Sequence, residues 1–339
     1  SSSSSSSISS SAAVSRARKS LFNAKGFMQV MKDVVWKLDR FGPKELPRLL
    51  IALHAMMWHD RELFKLAQTQ VIRHLPMLPL EQLPRVVVSY VEVQCGSRAL
   101  FDEFSRRCLQ ASGRFDPAAL VDLASAFSRG PHKPKAFLVD IGPSIFDSLP
   151  SLSSADLARV AEAYARWPRD VPPELVSGLA ALLCEEDGNL AKQMAPGQLV
   201  AVMRALLLWR SRSRGEQRSG ERPGESAAAT ARLFELAVGP LLSGREELTP
   251  SQSATAFWAY AKLSAVPEDL FRQLYLDVVE GAQHLEEPAL AACLLVSSRA
   301  ATGQLKSTSP RPPAPEGVDD DGDADVVDGG GGGGGGSGR

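Results

Sequence analysis

Apolar residues along this chain recur at two nested periods. The short period is helical: after Leu157 come Val160, Ala161, Tyr164 and Trp167, at steps of three, four, seven and ten, which trace one face of an α-helix. The long period is 37 residues. A leucine following a Pro- or Ser-containing opening stands at Leu46, Leu83, Leu120 and Leu157, each 37 after the last. Leu199 comes 42 later, the equivalent Ser253 a further 54, and Leu290 again 37. Counted from each of these anchors, the apolar run predicts a helix, here called A. Its opening holds a proline at Pro43, Pro117, Pro196 and Pro250, with capping residues such as Asp116 and Thr249 just before it. Seventeen or eighteen residues past the anchor a second helix, B, is signalled by Leu63-Phe64, Leu100-Phe101, Phe137-Leu138 and Leu270-Phe271. The fourth unit is the least regular, with Leu175-Val176 displaced by one residue.

The excess of 17 residues in the fifth unit matches the polar, Arg- and Gly-rich segment 211–227, and Leu233-Phe234 falls into register once that segment is subtracted. It is expected to be a loop inserted outside the packed core, since a longer loop adds little closure entropy. Small residues six past the anchor (Ala52, Ser89, Ala126, Ala163, Ala205, Ala259) mark where neighbouring helices approach closely. A single helix pair cannot bury its own apolar face, so the units are expected to stack. The fold class predicted is all-α, a right-handed α-solenoid of about seven helix-turn-helix repeats. Pairs should begin near Pro43, Pro79, Asp116, Ser153, Ala195, Thr249 and Glu287.

Composition then sets the domain limits. Leu and Ala dominate and only 6% of the 339 residues are aromatic, which favours helices over strands. The repeat domain spans 43–305, preceded by an N-terminal capping helix in 25–42. Residues 1–24 are Ser-rich, and no acid occurs before Asp33. That composition fits an organellar transit peptide and equally a disordered linker. Residues 306–339 form a Pro-rich, acidic and Gly-rich tail that cannot bury enough surface to fold. The glycine run 329–336 is not a phosphate-binding loop, because it ends in Ser337, Gly338 and Arg339 rather than Gly-Lys-Ser or Gly-Lys-Thr. The tail from Glu316 onward also hides the charge of the body: without it the chain has 37 bases against 32 acids, a net of about +5. No apolar run reaches the roughly 20 residues needed to cross a bilayer, so membrane insertion is not expected.

The 37-residue helix pair, with helix A ending in Ala126 to Arg129, Ala163 to Arg166 and Ala259 to Lys262, resembles the heptatricopeptide-repeat proteins. These are similar to the octotricopeptide and FAST-kinase-like repeat families. The resemblance covers roughly 43–302. It implies a role with organellar RNA in the mitochondrial matrix, where such proteins of apicomplexans and their relatives hold RNA, ribosomal RNA fragments included, in or around the mitoribosome. Partners would then be RNA, above all rRNA, and neighbouring proteins of a ribonucleoprotein complex. The sequence shows no nuclease-like RAP domain, which leaves binding or scaffolding.

Chemistry-bearing residues are few. Cys95, Cys108, Cys184 and Cys293 have no C-x-x-C spacing and read as buried thiols. His54 and His59 are five apart, not the i, i+4 spacing of a metal pair on one helix face. Glu185-Glu186 opens a Glu-Glu-Asp-Gly turn and reads as a solvated helix end. No enzyme, cofactor or metal is expected. Basic residues carry the functional reading. Arg48, Arg85 and Arg159 stand two past their anchors, and Arg129, Arg166 and Lys262 nine past theirs. Seven residues is nearly two helical turns, so both offsets share the face opposite the apolar one. Stacked units would align the six as a stripe of phosphate contacts, or simply as a solvated polar face. The alternative is a protein-binding solenoid scaffold, whose groove would be mixed in charge rather than continuously positive. Trp167 and Trp209, at step ten, read as core, and Trp258 is off that register. Fused to a fluorescent reporter, the acid-free leader is expected to carry it into mitochondria; a reporter left in the cytosol would show that the leader is a linker.

Overall fold

The computed structural model describes residues 25–132, 136–167, 171–216, 224–263 and 267–301, and these are all-helical, with no strand among them. A first helix, α1 (Lys25–Trp36), and a 3-10 turn (Leu38–Arg40) occupy the predicted N-terminal position. The A helices are α2 (Glu45–Ala55), α4 (Leu83–Glu92), α6 (Pro117–Arg129), α8 (Ser154–Ala165), α11 (Pro196–Glu216), α13 (Pro250–Leu263) and α15 (Glu287–Ala301). The B helices are α3 (Arg61–His74), α5 (Arg98–Gln110), α7 (Phe137–Ser148), α9 (Pro173–Cys184), α12 (Gly224–Ser243) and α14 (Glu268–Glu280); a short α10 (Asn189–Gln193) sits between units. Each A helix packs on the A helices before and after it, each B helix on its B neighbours, and the two rows pack on each other. Six pairs and a seventh A helix are described. The position of a seventh B helix, and the tail beyond it, lie outside the described residues, as do residues 1–24.

Five of the seven predicted starts fall within a residue of the helix. Asp116 caps α6 by accepting the Ala119 N–H at 2.6 Å, and Ser153 caps α8 through Asp156 N–H at 3.2 Å. Thr249 and Gln252 form a reciprocal box at the start of α13: the Thr249 hydroxyl accepts Gln252 N–H, and the Gln252 side chain accepts Thr249 N–H. The first two A helices start later than their prolines suggested, at Glu45 and Leu83. Pro43 and Pro79 sit in the preceding turns instead, while Pro47 and Pro84 fall within the first helical turn, where a missing N–H costs nothing.

The segment 211–227 corrects an expectation. It is not wholly a loop: α11 continues to Glu216 and α12 begins at Gly224, so the extra residues lengthen both helices of the fifth pair, leaving 217–223 outside the described residues. Helix propagation adds one hydrogen bond per residue once a turn exists, and Arg, Glu and Ala at these positions sustain it. The five-residue excess before Leu199 is taken up by α10 and the turn that precedes it, in which Glu186 (φ 47°), Asp187 (φ 54°) and Gly188 (φ 74°) are all left-handed.

One repeat position was not read from the sequence. Five residues before every anchor stands an apolar residue in extended conformation: Phe41, Leu78, Phe115, Leu152, Met194, Leu248 and Leu285. Each ends the B-to-A connection, after a 3-10 turn or, for Met194, after α10, and turns its side chain into the core; Leu78, Leu152, Met194 and Leu285 are buried. The anchors Leu46, Leu83, Leu120, Leu157 and Leu199 are essentially inaccessible to solvent, each such burial contributing about 1.5–3 kcal/mol. Of the small residues six past the anchor, Ser89, Ala126, Ala163, Ala205 and Ala259 are buried. Ala52 is not; it lines an open groove between α2 and α4.

A tyrosine seven past the anchor ties consecutive units together. Tyr90, Tyr164 and Tyr260, all buried, each donate their hydroxyl to a carbonyl 26 residues earlier, on the preceding B helix: Phe64 at 3.1 Å, Leu138 at 2.8 Å and Phe234 at 2.9 Å. Burial holds these phenols protonated, well above the usual tyrosine range. The third unit places Phe127 at the same offset, so the ring fits without the hydroxyl. Tyr164→Phe is therefore expected to keep the fold and lower the urea-unfolding free energy by about 1 kcal/mol, whereas Tyr164→Ala, which also opens a cavity, should cost roughly 3–5 kcal/mol. Equal losses for the two variants would show that the hydrogen bond, not the ring, holds the seam.

Candidate nucleic-acid interface

The six basic residues of the predicted stripe all stand on A helices or at their ends: Arg48 on α2, Arg85 on α4, Arg129 closing α6, Arg159 on α8, Arg166 directly after α8 and Lys262 on α13. All are exposed except Arg159, which is half-buried. Exposure is what a helix position opposite the apolar face dictates, and it does not by itself make a cationic surface.

Their partners divide them. Arg129 pairs with Glu92 at 2.7 Å, and Arg159 with Asp122 at 2.5 Å and Asp156 at 3.2 Å. Glu92 stands nine past its anchor and Asp122 two past its own, 37 residues before the arginines they meet. The same repeat offset thus carries an acid on one unit and a base on the next, so stacking the A helices brings the two together. Burial disfavours the Arg159 charge, but hydrogen bonds and fields from Asp122 and Asp156 outweigh it and raise the guanidinium pKa. Arg166 pairs with Glu162 of α8, four residues before it, at 2.9 Å. These three arginines are thereby largely spent as free cations.

Arg48 and Arg85 differ. They share one offset on successive A helices and line the same open groove, with Ile51, Ala52, Glu81 and Gln82 around them. Neither has a carboxylate partner among the described residues. Lys262 lies over the Trp258 ring, 5.8 Å from its centre. Between Arg166 and Lys262 the fifth unit holds Ala201 and Leu208 at the two offsets, so the stripe is interrupted. The expectation of a regular ladder thus resolves into a cationic groove at one end, ion-paired stitching in the middle and an isolated Lys-Trp pair beyond. Reading acids along the same two offsets finds Glu92 and Asp122 a repeat before Arg129 and Arg159, but not which of its two flanking arginines, Arg85 or Arg159, Asp122 meets.

Other candidates fall into place as packing. Trp209 is buried and donates its indole N–H to the Tyr164 carbonyl at 3.4 Å; Trp167 is partly buried, reaching Ser128 O at 3.5 Å. Trp58 meets Phe27 of α1 edge-on at 5.2 Å. His54 and His59 do come together, their rings stacked at 5.7 Å, because α2 ends at Ala55 and the chain reverses at the left-handed Met57. Burial, then the neighbouring His59, lower the His54 pKa, with Glu92 opposing, so the ring stays neutral at pH 7. No group of three His, Cys, Asp or Glu side chains suited to a metal occurs among the described residues. Burial pushes all four thiols up, Cys95 to about 11, so they are protonated at neutral pH. No described helix is long and apolar enough to cross a membrane.

Fold and face together define an all-α protein of helical-repeat character. No family model matches the chain, and no curated protein matches it either.

The Asp122–Arg159 pair is half-exposed on both sides, so its contribution is modest. A double-mutant cycle on Asp122→Ala and Arg159→Ala is expected to give a coupling of about 0.5–1 kcal/mol that shrinks in 1 M salt. Zero coupling at low salt would free Arg159 for another partner.

Proposed function

We propose that this chain is a right-handed α-solenoid of helix pairs that binds RNA in the mitochondrial matrix, in particular an rRNA segment within a ribonucleoprotein complex. The observation that carries the reading is the groove between α2 and α4: two arginines at one repeat offset, on adjacent helices, with no carboxylate ion pair among the described residues. Two cations a helix apart suit successive phosphates of a strand laid across the A helices, a contact that positions RNA without reading its bases. The acid-free leader and the resemblance of the 37-residue units support the organellar setting.

A protein-binding scaffold is the second reading, favoured by one observation: the middle of the A-helix face alternates acid and base rather than presenting continuous positive charge. The two separate in one experiment. Binding of labelled single-stranded RNA is measured by fluorescence anisotropy across a salt series for the full chain and for Arg48→Glu/Arg85→Glu. The double variant is expected to weaken binding to all sequences and reduce the salt slope by about 1–2 units. Arg129→Ala, whose cation is already paired, should change the slope little. A folded double variant with unchanged affinity and slope would hand the groove to the scaffold reading.

A further inference from the structure

We infer that Arg204, Trp258 and Lys262 form a second RNA contact on the A-helix face, where one base stacks on the indole and the two cations hold the phosphates beside it. This rests on the RNA reading and extends it: the strand is held at two places, the Arg48–Arg85 groove and this site, with the stitched region between them.

The fifth unit has no cation at the two offsets of the stripe, but it has one at a third. Arg204 stands five past Leu199 on α11, and Trp258 stands five past Ser253 on α13. Lys262 is four residues beyond Trp258, one turn along on the same face. Packing sets the register of the two helices. α11 packs on α13, and near their starts Gly197 lies so close to the Gln252 side chain that a Cβ there would collide with it. Arg204 is seven residues on from Gly197 and Trp258 six on from Gln252, so the two stand on neighbouring helices at the same level, about two turns further along.

Each of the three is open to a ligand. Arg204 is exposed and has no ion pair among the described residues; Glu162, at the same offset on α8, is held by Arg166 at 2.9 Å. The buried positions of α13 are filled by Ala256, Phe257 and Tyr260, while Trp258 only leans on the core and stays partly exposed. The ammonium of the exposed Lys262 lies over the indole, 5.8 Å from its centre, so this face of the ring looks onto solvent. A base can take that place, and the displaced ammonium, on a flexible four-carbon stem, reaches a phosphate instead.

The two contacts work as a pair. Between them the same face carries three arginines against the four carboxylates they meet, a balance that gives a phosphate strand little to hold. Four helix-to-helix steps separate the groove from the α11–α13 seam, about 35 Å along the row at the usual interaxial distance. One strand covers that span with about ten nucleotides at the rise of a duplex strand, and with fewer when extended. RNA long enough to reach both sites makes the second contact intramolecularly, and shorter RNA does not.

The test is fluorescence anisotropy of the full chain with labelled oligouridylates from about 4 to 16 nucleotides, across a salt series. Wild-type affinity is expected to step up by at least about tenfold as the length approaches about ten nucleotides. Arg204→Glu/Lys262→Glu, at two exposed positions, should bind long RNA as weakly as short RNA and lower the salt slope for long RNA by about 1–2 units. Trp258→Leu, which keeps an apolar side chain against the core, should shrink the step yet leave the salt slope unchanged, because stacking releases no counterions. Circular dichroism checks the folds, and Arg204→Gln/Lys262→Gln replaces the charge reversal if that variant does not fold. A folded variant that keeps the wild-type step overturns the inference; the RNA reading survives that result if Arg48→Glu/Arg85→Glu still weakens binding in the same assay. Wild type that binds RNA of no length overturns both.

Discussion

Everything in this molecule rests on one constraint: a pair of short helices cannot bury its own apolar face, and each unit borrows its cover from the next. The anchor leucines, the extended residue five before them and the tyrosine seven after them all sit at seams between elements. The buried hydroxyl of Tyr90, Tyr164 or Tyr260 needs an acceptor, since an unpaired one would cost about 1–3 kcal/mol, and the carbonyl that accepts it belongs to the unit before. Stacking is therefore specified in register as well as driven by burial. Irregular units are absorbed at the same seams: the five-residue excess is taken up by α10 and its left-handed turn, and the described parts of segment 211–227 lengthen α11 and α12.

That constraint also shapes the surface. Side chains at one repeat offset on successive A helices are neighbours, so the sign of each charge decides what its position does. Two opposite-sign pairs 37 residues apart, Glu92–Arg129 and Asp122–Arg159, close into ion pairs, whereas Arg85 and Asp122, also 37 apart, do not, and Arg85 lines a groove with the like-signed Arg48 instead. A face that looks uniformly basic when only bases are tallied becomes a stitched region and a free groove. The proposal of RNA binding rests on the groove, and the stitched region limits its extent. Four residues past the anchor, Leu294 on α15 is exposed where the six preceding A helices bury their residue.

The sequence by itself determined the helices, their pairing and nearly all of their starts, because the 3.6 and 37 residue periods, the capping residues and the Leu-Phe signature are local or regularly spaced and each names its own physical cause. Of the two tryptophans on the apolar step, Trp209 is buried as its spacing predicts, while Trp167 is only partly buried against the core. What the sequence did not determine were contacts that depend on how one unit sits upon another. The arginines could be placed on a face from spacing alone, but whether Arg129 and Arg159 are free depends on acids a whole repeat away, brought within ion-pair distance only by the stacking of the A helices. His54 and His59 were kept apart by a helical ruler that stops applying at Ala55, where the helix ends and the left-handed Met57 turns the chain back. Segment 211–227 looked like a loop from its polarity, yet polar residues extend an existing helix cheaply once its first turns are held by tertiary packing. Period and composition are properties of the chain; partners are properties of the fold, because only packing decides which distant charges share a surface.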